Sequence, residues 1–196
     1  FVTVAAEFCA FLERAESMKR STFVDTTLKI LPLLYLKASM LPKCEMIGDE
    51  SPETYVTEEI YEVLRINLAS ILAEKDDYLE VFLPDMAYSD EPIKKNISED
   101  LADIYQDIKD FIFVFQLGLN ETMNDSLAIC QENFGLLWGQ KLVNTMRALH
   151  DVKYSPKARG EDEEEEEYEP ENNEDCHCED DDCHCHDHGC HCHDDE

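Results

Sequence analysis

Apolar residues recur at helical spacing through most of the first 155 positions of the chain. Phe1, Val4, Ala5, Phe8, Phe11, Leu12 and Ala15 fall on one face, which predicts a helix over residues 1–17. A second stripe, Val24, Leu28, Leu31, Leu34, Tyr35, Ala38 and Leu41, predicts a helix over 22–41. Pro32 lies inside it, where a missing N–H and a crowded turn predict a kink or a split, and Pro42 closes it. Residues 43–56, with Gly48 and Pro52, read as loop. Thr57 stands where an N-cap belongs, Glu58 and Glu59 suit the positive end of the helix dipole, and Ile60, Leu64, Leu68 and Ile71 carry the helix to about residue 73.

Residues 76–97 are less regular: an apolar run at 78–83 precedes Pro84, Asp85, Ser89, Asp90, Glu91 and Pro92. They read as a short helix or extended piece followed by an acidic connector. Ser98 is expected to cap the next helix, whose stripe at 97, 101, 104, 108, 111 and 115 alternates steps of four and three before Gly118 ends it. Asn120 is expected to cap the longest helix, reaching residue 152 and roughly 50 Å in length at ~1.5 Å per residue. Its face is Met123, Leu127, Cys130, Phe134, Trp138, Leu142, Met146 and Leu149, and Gly135 and Gly139 predict close approach of a neighbouring helix. No segment alternates as a strand does. The expected fold is all-α, a bundle of five or six helices over residues 1–154. Its core should include Phe8, Leu31, Leu34, Ile104, Ile108, Phe111, Phe134, Trp138 and Leu142.

Composition changes at residues 155–160 to Pro, Lys, Arg and Gly, a boundary signal, and 161–167 is a block of like charge that repels itself. We divide the remainder into an acidic, disordered linker at 155–175 and a Cys/His-rich tail at 176–196. Residues 161–196 hold 19 of the 46 acidic residues and none of the 16 basic ones, so −19 of the formal charge of −30 lies there. The body is still acidic, which argues against nucleic acid and anionic membrane partners. No run approaches the roughly 20 apolar residues needed to span a bilayer. The apolar start at 1–12 carries Glu7 and lacks a basic leader, unlike a signal peptide. Cys9, Cys44 and Cys130 are scattered singly among apolar neighbours, which fits free thiols in a reducing cytoplasm.

The tail carries the strongest chemical signal. Three seven-residue units each open with Cys-His-Cys, placing six of nine cysteines and six of seven histidines in 21 residues. The candidate ligands are Cys176, His177, Cys178, Cys183, His184, Cys185, His186, His188, Cys190, His191, Cys192 and His193. Thiolate and imidazole select zinc, copper(I), nickel, cadmium or cobalt over magnesium and calcium, with zinc or nickel expected here. Cys-x-Cys cannot easily turn a third ligand of its own triplet onto the same ion, so triplets must cooperate. The flanking carboxylates raise the local cation concentration and offer acceptors to the imidazole N–H groups. The repeated Cys-x-Cys resembles metallothionein composition, and the His/Asp content resembles the C-terminal tails of bacterial nickel-handling chaperones. Neither likeness extends beyond this segment.

The body offers less, and no cofactor is expected in it. Glu58, Glu59 and Glu62 followed by Glu74, Asp76 and Asp77 imitate the magnesium-binding EExxE…ExxD pattern of all-α nucleotide pyrophosphatases. Carboxylates twelve apart on one helix lie about 18 Å apart along its axis and cannot chelate one ion. His150 sits near a helix C-terminus, where the dipole favours an imidazolium, and no nucleophile motif accompanies it. Asp100, Asp103, Asp107 and Asp110 read as the polar face of an amphipathic helix, with a partner-binding surface as the alternative.

Six strings carry a family resemblance: F-V-T-V-A-A-E-F-C-A-F-L-E, T-L-K-I-L-P-L-L-Y-L-K-A-S, D-D-Y-L-E-V-F-x-P-D-M, Y-S-D-E-P-I, S-E-D-L-A-D-I-Y-Q-D and E-N-F-x-x-x-W-G-x-K-L-V-N-x-x-R-A-L-H. They resemble an uncharacterised bacterial family of small acidic all-helical proteins with a domain-of-unknown-function label. The resemblance covers residues 1–154. It implies a cytoplasmic bacterial protein with a few residues ahead of Phe1, and it carries no activity or site residues. The functional expectation is a non-enzymatic helical body with a tail that sequesters or delivers metal ions. The rivals are an enzyme holding an ion near Asp77, Asp85, Asp90 and Asp100, and an adaptor for a protein partner.

Overall fold

The computed structural model describes residues 1–80 and 93–155. The elements in chain order are α1 (Val2–Glu13), α2 (Arg20–Ser39), α3 (Glu58–Leu72), β1 (Asp77–Leu79), β2 (Lys94–Asn96), α4 (Ile97–Leu117), α5 (Asn120–Asn133) and α6 (Gly139–Tyr154). Short 3-10 turns follow α1 and α3, and a π-helical turn, Phe134–Trp138, joins α5 to α6 without a break. The described residues therefore form six α-helices in five rods, as the apolar spacing predicts.

α4 is the central rod. Its apolar stripe faces α1, α3, α5 and α6 at once, while α2 closes the far side against α1 and α6. Ile97, Leu101, Ile104 and Ile108 are wholly buried along it, meeting Phe8, Phe23, Leu31, Leu34, Leu68, Leu72, Trp138 and Leu142 from the surrounding helices. Of the nine predicted core residues only Phe134 is partly buried; its ring lies against Tyr35 and Trp138.

Thr57 caps α3 as predicted, its hydroxyl accepting from the Ile60 N–H at 3.3 Å. Gly118 ends α4 with a left-handed φ of 75°, which glycine adopts without strain. Other local expectations are corrected. α2 runs through Pro32 unsplit. The proline faces solvent, where water can satisfy the carbonyl that its missing N–H leaves free. Residues around 77–96 include two three-residue strands, paired antiparallel with Tyr78 opposite Lys95. Strands this short cannot display an alternation.

Ser98 does not cap α4; it lies buried in the first turn. The capping group is Asp76, from 22 positions earlier. Its carboxylate accepts from the Ser98 N–H and hydroxyl, both at 2.7 Å, and its backbone carbonyl accepts from the Ile97 N–H at 2.8 Å. An anion at this end of α4 also meets the positive pole of the helix dipole. Asn120 likewise makes no capping bond; Leu119 occupies the N-cap position.

Gly135 and Gly139 do not receive a neighbouring helix. Gly135 faces open space, whereas a Cβ on Gly139 would lie 2.3 Å from the Phe134 carbonyl oxygen and 2.9 Å from its ring. Gly139 is glycine because the π-turn folds the chain's own backbone onto it.

Candidate functional site

The twelve predicted tail ligands lie outside the described residues, as do Asp85 and Asp90. Among the described residues no three His, Cys, Asp or Glu side chains are placed to hold one metal ion. The pyrophosphatase-like carboxylates are dispersed as the spacing predicts. Glu62 pairs with Arg65 at 2.7 Å, Glu74 with Arg20 at 2.5 Å, Asp76 caps α4, and Asp77 accepts from Asn96 at 2.8 Å and pairs with Lys94. Ala73, held at a φ of 49°, ends α3, so the two groups do not share one helix. His150 stacks obliquely on Tyr154, with ring centroids 4.6 Å apart.

The aspartates of α4 depart from expectation. They are a half-buried ladder reaching into the surrounding elements. Asp100, 3% exposed, accepts from the Tyr78 hydroxyl, and burial raises its pKa. Asp103 accepts from the Tyr61 hydroxyl at 2.8 Å and pairs with Lys141 of α6. Asp107 accepts from the Asn133 side-chain amide at 2.6 Å. Burial raises its pKa as well, with the neighbouring Asp110 and Asp103 charges adding to the effect. Asp110 accepts from the backbone N–H groups of Tyr55 and Val56 at 2.7 and 2.8 Å.

Three of these aspartates, Asp103, Asp107 and Asp110, form one wall of a cavity of about 520 Å³ between α4 and the rod formed by α5, the π-turn and α6. Phe111, Ile129, Cys130, Leu137 and Trp138 supply apolar surface, Lys141 and Asn133 the polar groups opposite, and residues 51–54 cross the mouth. That crossing segment is tied on both sides. On one side Asp125 accepts from the Ile47 and Gly48 N–H groups at 2.6 and 2.8 Å; on the other stand the two bonds to Asp110. The Ile47 bond, foremost, holds the Asp125 pKa below its ordinary value. The π-turn brings Trp138 to the cavity wall, with its indole N–H donating to the Cys130 carbonyl at 3.0 Å. π-turns inside α-helices are frequent at functional sites.

The cavity escaped the sequence because its lining combines α4, α5–α6 and residues 51–54, brought together only by tertiary packing. One signal was present: the apolar positions Cys130, Phe134, Trp138, Leu142 and Met146 repeat every four residues, too long a period for an unbroken α-helix.

The fold and cavity define an all-helical domain with a mixed polar and apolar pocket. The family model for a domain of unknown function (DUF5063) matches residues 1–155, and the chain belongs to that family. No curated protein matches it. The chain is similar to protein BF1032 from Bacteroides fragilis, a structural-genomics crystal structure. The two share 92% identity over 81% of this chain and 93% of that one, with a TM-score of 0.73. The Cys/His segment lies beyond the residues that the family model matches.

Proposed function

We propose that the chain is a helical body whose C-terminal tail binds soft or borderline transition metal ions, zinc or nickel, for sequestration or delivery. The carrying observation is the thrice-repeated Cys-His-Cys at Cys176, Cys183 and Cys190. Twelve donors at about four per ion, with some loss because adjacent residues point apart, provide for roughly two to three ions. The body supports this division of labour: the described carboxylates of the rival enzyme site, Asp77 and Asp100, are engaged by Lys94, Asn96 and Tyr78. Among the described residues no helix is long and apolar enough to cross a membrane. The unpaired Cys9, Cys44 and Cys130 support a reducing bacterial cytoplasm as the setting. The acidic charge favours metal ions, and a protein that receives them, over nucleic acid as partners.

Ligation ionises each thiol, so binding must release protons and weaken as pH falls from about 7 to 5, where imidazoles also protonate. The test is zinc calorimetry of the full chain and of a variant with all six tail cysteines changed to serine, in two buffers of different ionisation enthalpy. The expected result is tight, proton-releasing zinc binding that the variant lacks, with weaker nickel binding surviving on His177, His184, His186, His188, His191 and His193. Equal zinc affinity in both proteins, or no proton release, would overturn the thiolate assignment.

A further inference from the structure

The cavity against α4 has no part in the metal-binding reading and has its own chemistry. We propose that it is a binding site for a small organic cation, an ammonium carried on an apolar or aromatic body. Its volume of about 520 Å³ falls within the range of small-molecule sites. The α5–π-turn side contributes apolar Ile129, Leu137 and Trp138, and α4 presents Asp103, Asp107 and Asp110 at one-turn intervals with Phe111 beside them.

The three carboxylates are not equivalent. Asp103 is neutralised by Lys141, and Asp110 accepts two backbone amides of the crossing segment on Oδ1, its Oδ2 receiving no hydrogen bond among the described residues. Asp107 receives only a neutral amide, on Oδ1, and its other oxygen receives no hydrogen bond among the described residues. With Glu53 at the mouth, the lining holds four carboxylates against the single cation of Lys141.

That balance selects the occupant. An anion would meet like charge. A neutral apolar guest would strip water from Asp107 without replacing it, which a half-buried carboxylate resists. A primary ammonium supplies up to three donors and one positive charge at that point, while its apolar part covers the opposite wall. Complementarity of charge and shape therefore converges on one ligand class.

Trp138 is the chain's single tryptophan and lines the cavity, so its fluorescence reports occupancy locally. This separates cavity binding from diffuse attraction of cations to the acidic C-terminal residues. The experiment titrates the full chain, with reductant and chelator at physiological salt, with 2-phenylethylammonium, the neutral 2-phenylethanol and the anionic 3-phenylpropionate. The expected result is a saturable Trp138 change with the ammonium, at an affinity about tenfold or more above that of the alcohol, and none with the carboxylate. Asp107→Asn should remove the preference for the ammonium over the alcohol. Leu137→Arg, at a position 53% exposed on the rim, should abolish binding measured by calorimetry by placing a competing cation at the mouth. It also serves where Asp107→Asn fails to fold. Equal affinities for ammonium and alcohol, no saturable binding at millimolar ligand, or ammonium affinity unchanged in Leu137→Arg would overturn the proposal.

Discussion

Replacing Gly139 with alanine inverts an ordinary rule. In a helix interior, glycine to alanine stabilises by about 0.5–1 kcal/mol because the unfolded chain loses freedom and the helix gains propensity. At Gly139 the new methyl would lie 2.3 Å from the Phe134 carbonyl oxygen and 2.9–3.0 Å from two ring carbons, closer than real Cβ contacts. Rotating the Phe134 ring away does not relieve the carbonyl clash, and that ring is packed on Trp138 with centroids 4.6 Å apart and on Tyr35 at 5.1 Å. The π-turn must therefore open, losing the bond from the Gly139 N–H to the Phe134 carbonyl. Overpacking costs about 1–3 kcal/mol and the lost hydrogen bond about 1 kcal/mol, against a propensity gain of about 1 kcal/mol, for a net destabilisation of about 1–3 kcal/mol. Gly135→Ala is the internal control: nothing lies within 4 Å of its new methyl, so it should stabilise by about 0.5–1 kcal/mol. Urea unfolding of the full chain, followed by circular dichroism with reductant and chelator present, measures both. Stabilisation by Gly139→Ala equal to that by Gly135→Ala would show that Phe134–Trp138 runs as plain α-helix in solution.

Asp76→Ala should destabilise by about 2–4 kcal/mol, because the buried Ser98 N–H and hydroxyl lose their charged acceptor. Asp77→Ala, which loses an exposed pair with Lys94, should stay within about 1 kcal/mol of the parent in the same unfolding assay. Burial pushes the Cys9 thiol up to about 12 and raises the Cys130 thiol as well, so native iodoacetamide labelling near neutral pH should spare both. Peptide mapping showing either modified before global unfolding would contradict that packing. Truncation after Ser155 should leave the metal-free melting temperature and helical content unchanged within error, since the residues removed are almost all polar and acidic and offer little apolar surface to bury. A large fall in either would show that the removed residues pack on the body.

Elements governed by local periodicity were legible in the sequence. Ile97, Leu101, Ile104 and Ile108 announce α4, and all four are wholly buried. Thr57 and Gly118 act as cap and stop because both roles depend on local backbone geometry. Features made by distant partners were not legible. Ser98 looks like a cap by position, but Asp76 arrives through the β1–β2 pairing and takes the role. The aspartates of α4 look solvated because their partners, Tyr78, Tyr61, Lys141, Asn133 and the amides of Tyr55 and Val56, come from five other segments. The cavity follows from those pairings and shares their invisibility. The proposed metal chemistry of the tail is the reverse case: it is read from residue type and repeat alone.

Native mass spectrometry of the full chain and of the chain truncated after Ser155, both purified without chelator and titrated with zinc, tests the metal assignment most directly. The full chain should carry about two to three zinc ions at four ligands each, with a proton lost for every thiolate engaged, and the truncated body should carry none. Zinc retained by the truncated body at the same stoichiometry, or a full chain that takes up none, would contradict the assignment of metal binding to Cys176, Cys178, Cys183, Cys185, Cys190 and Cys192.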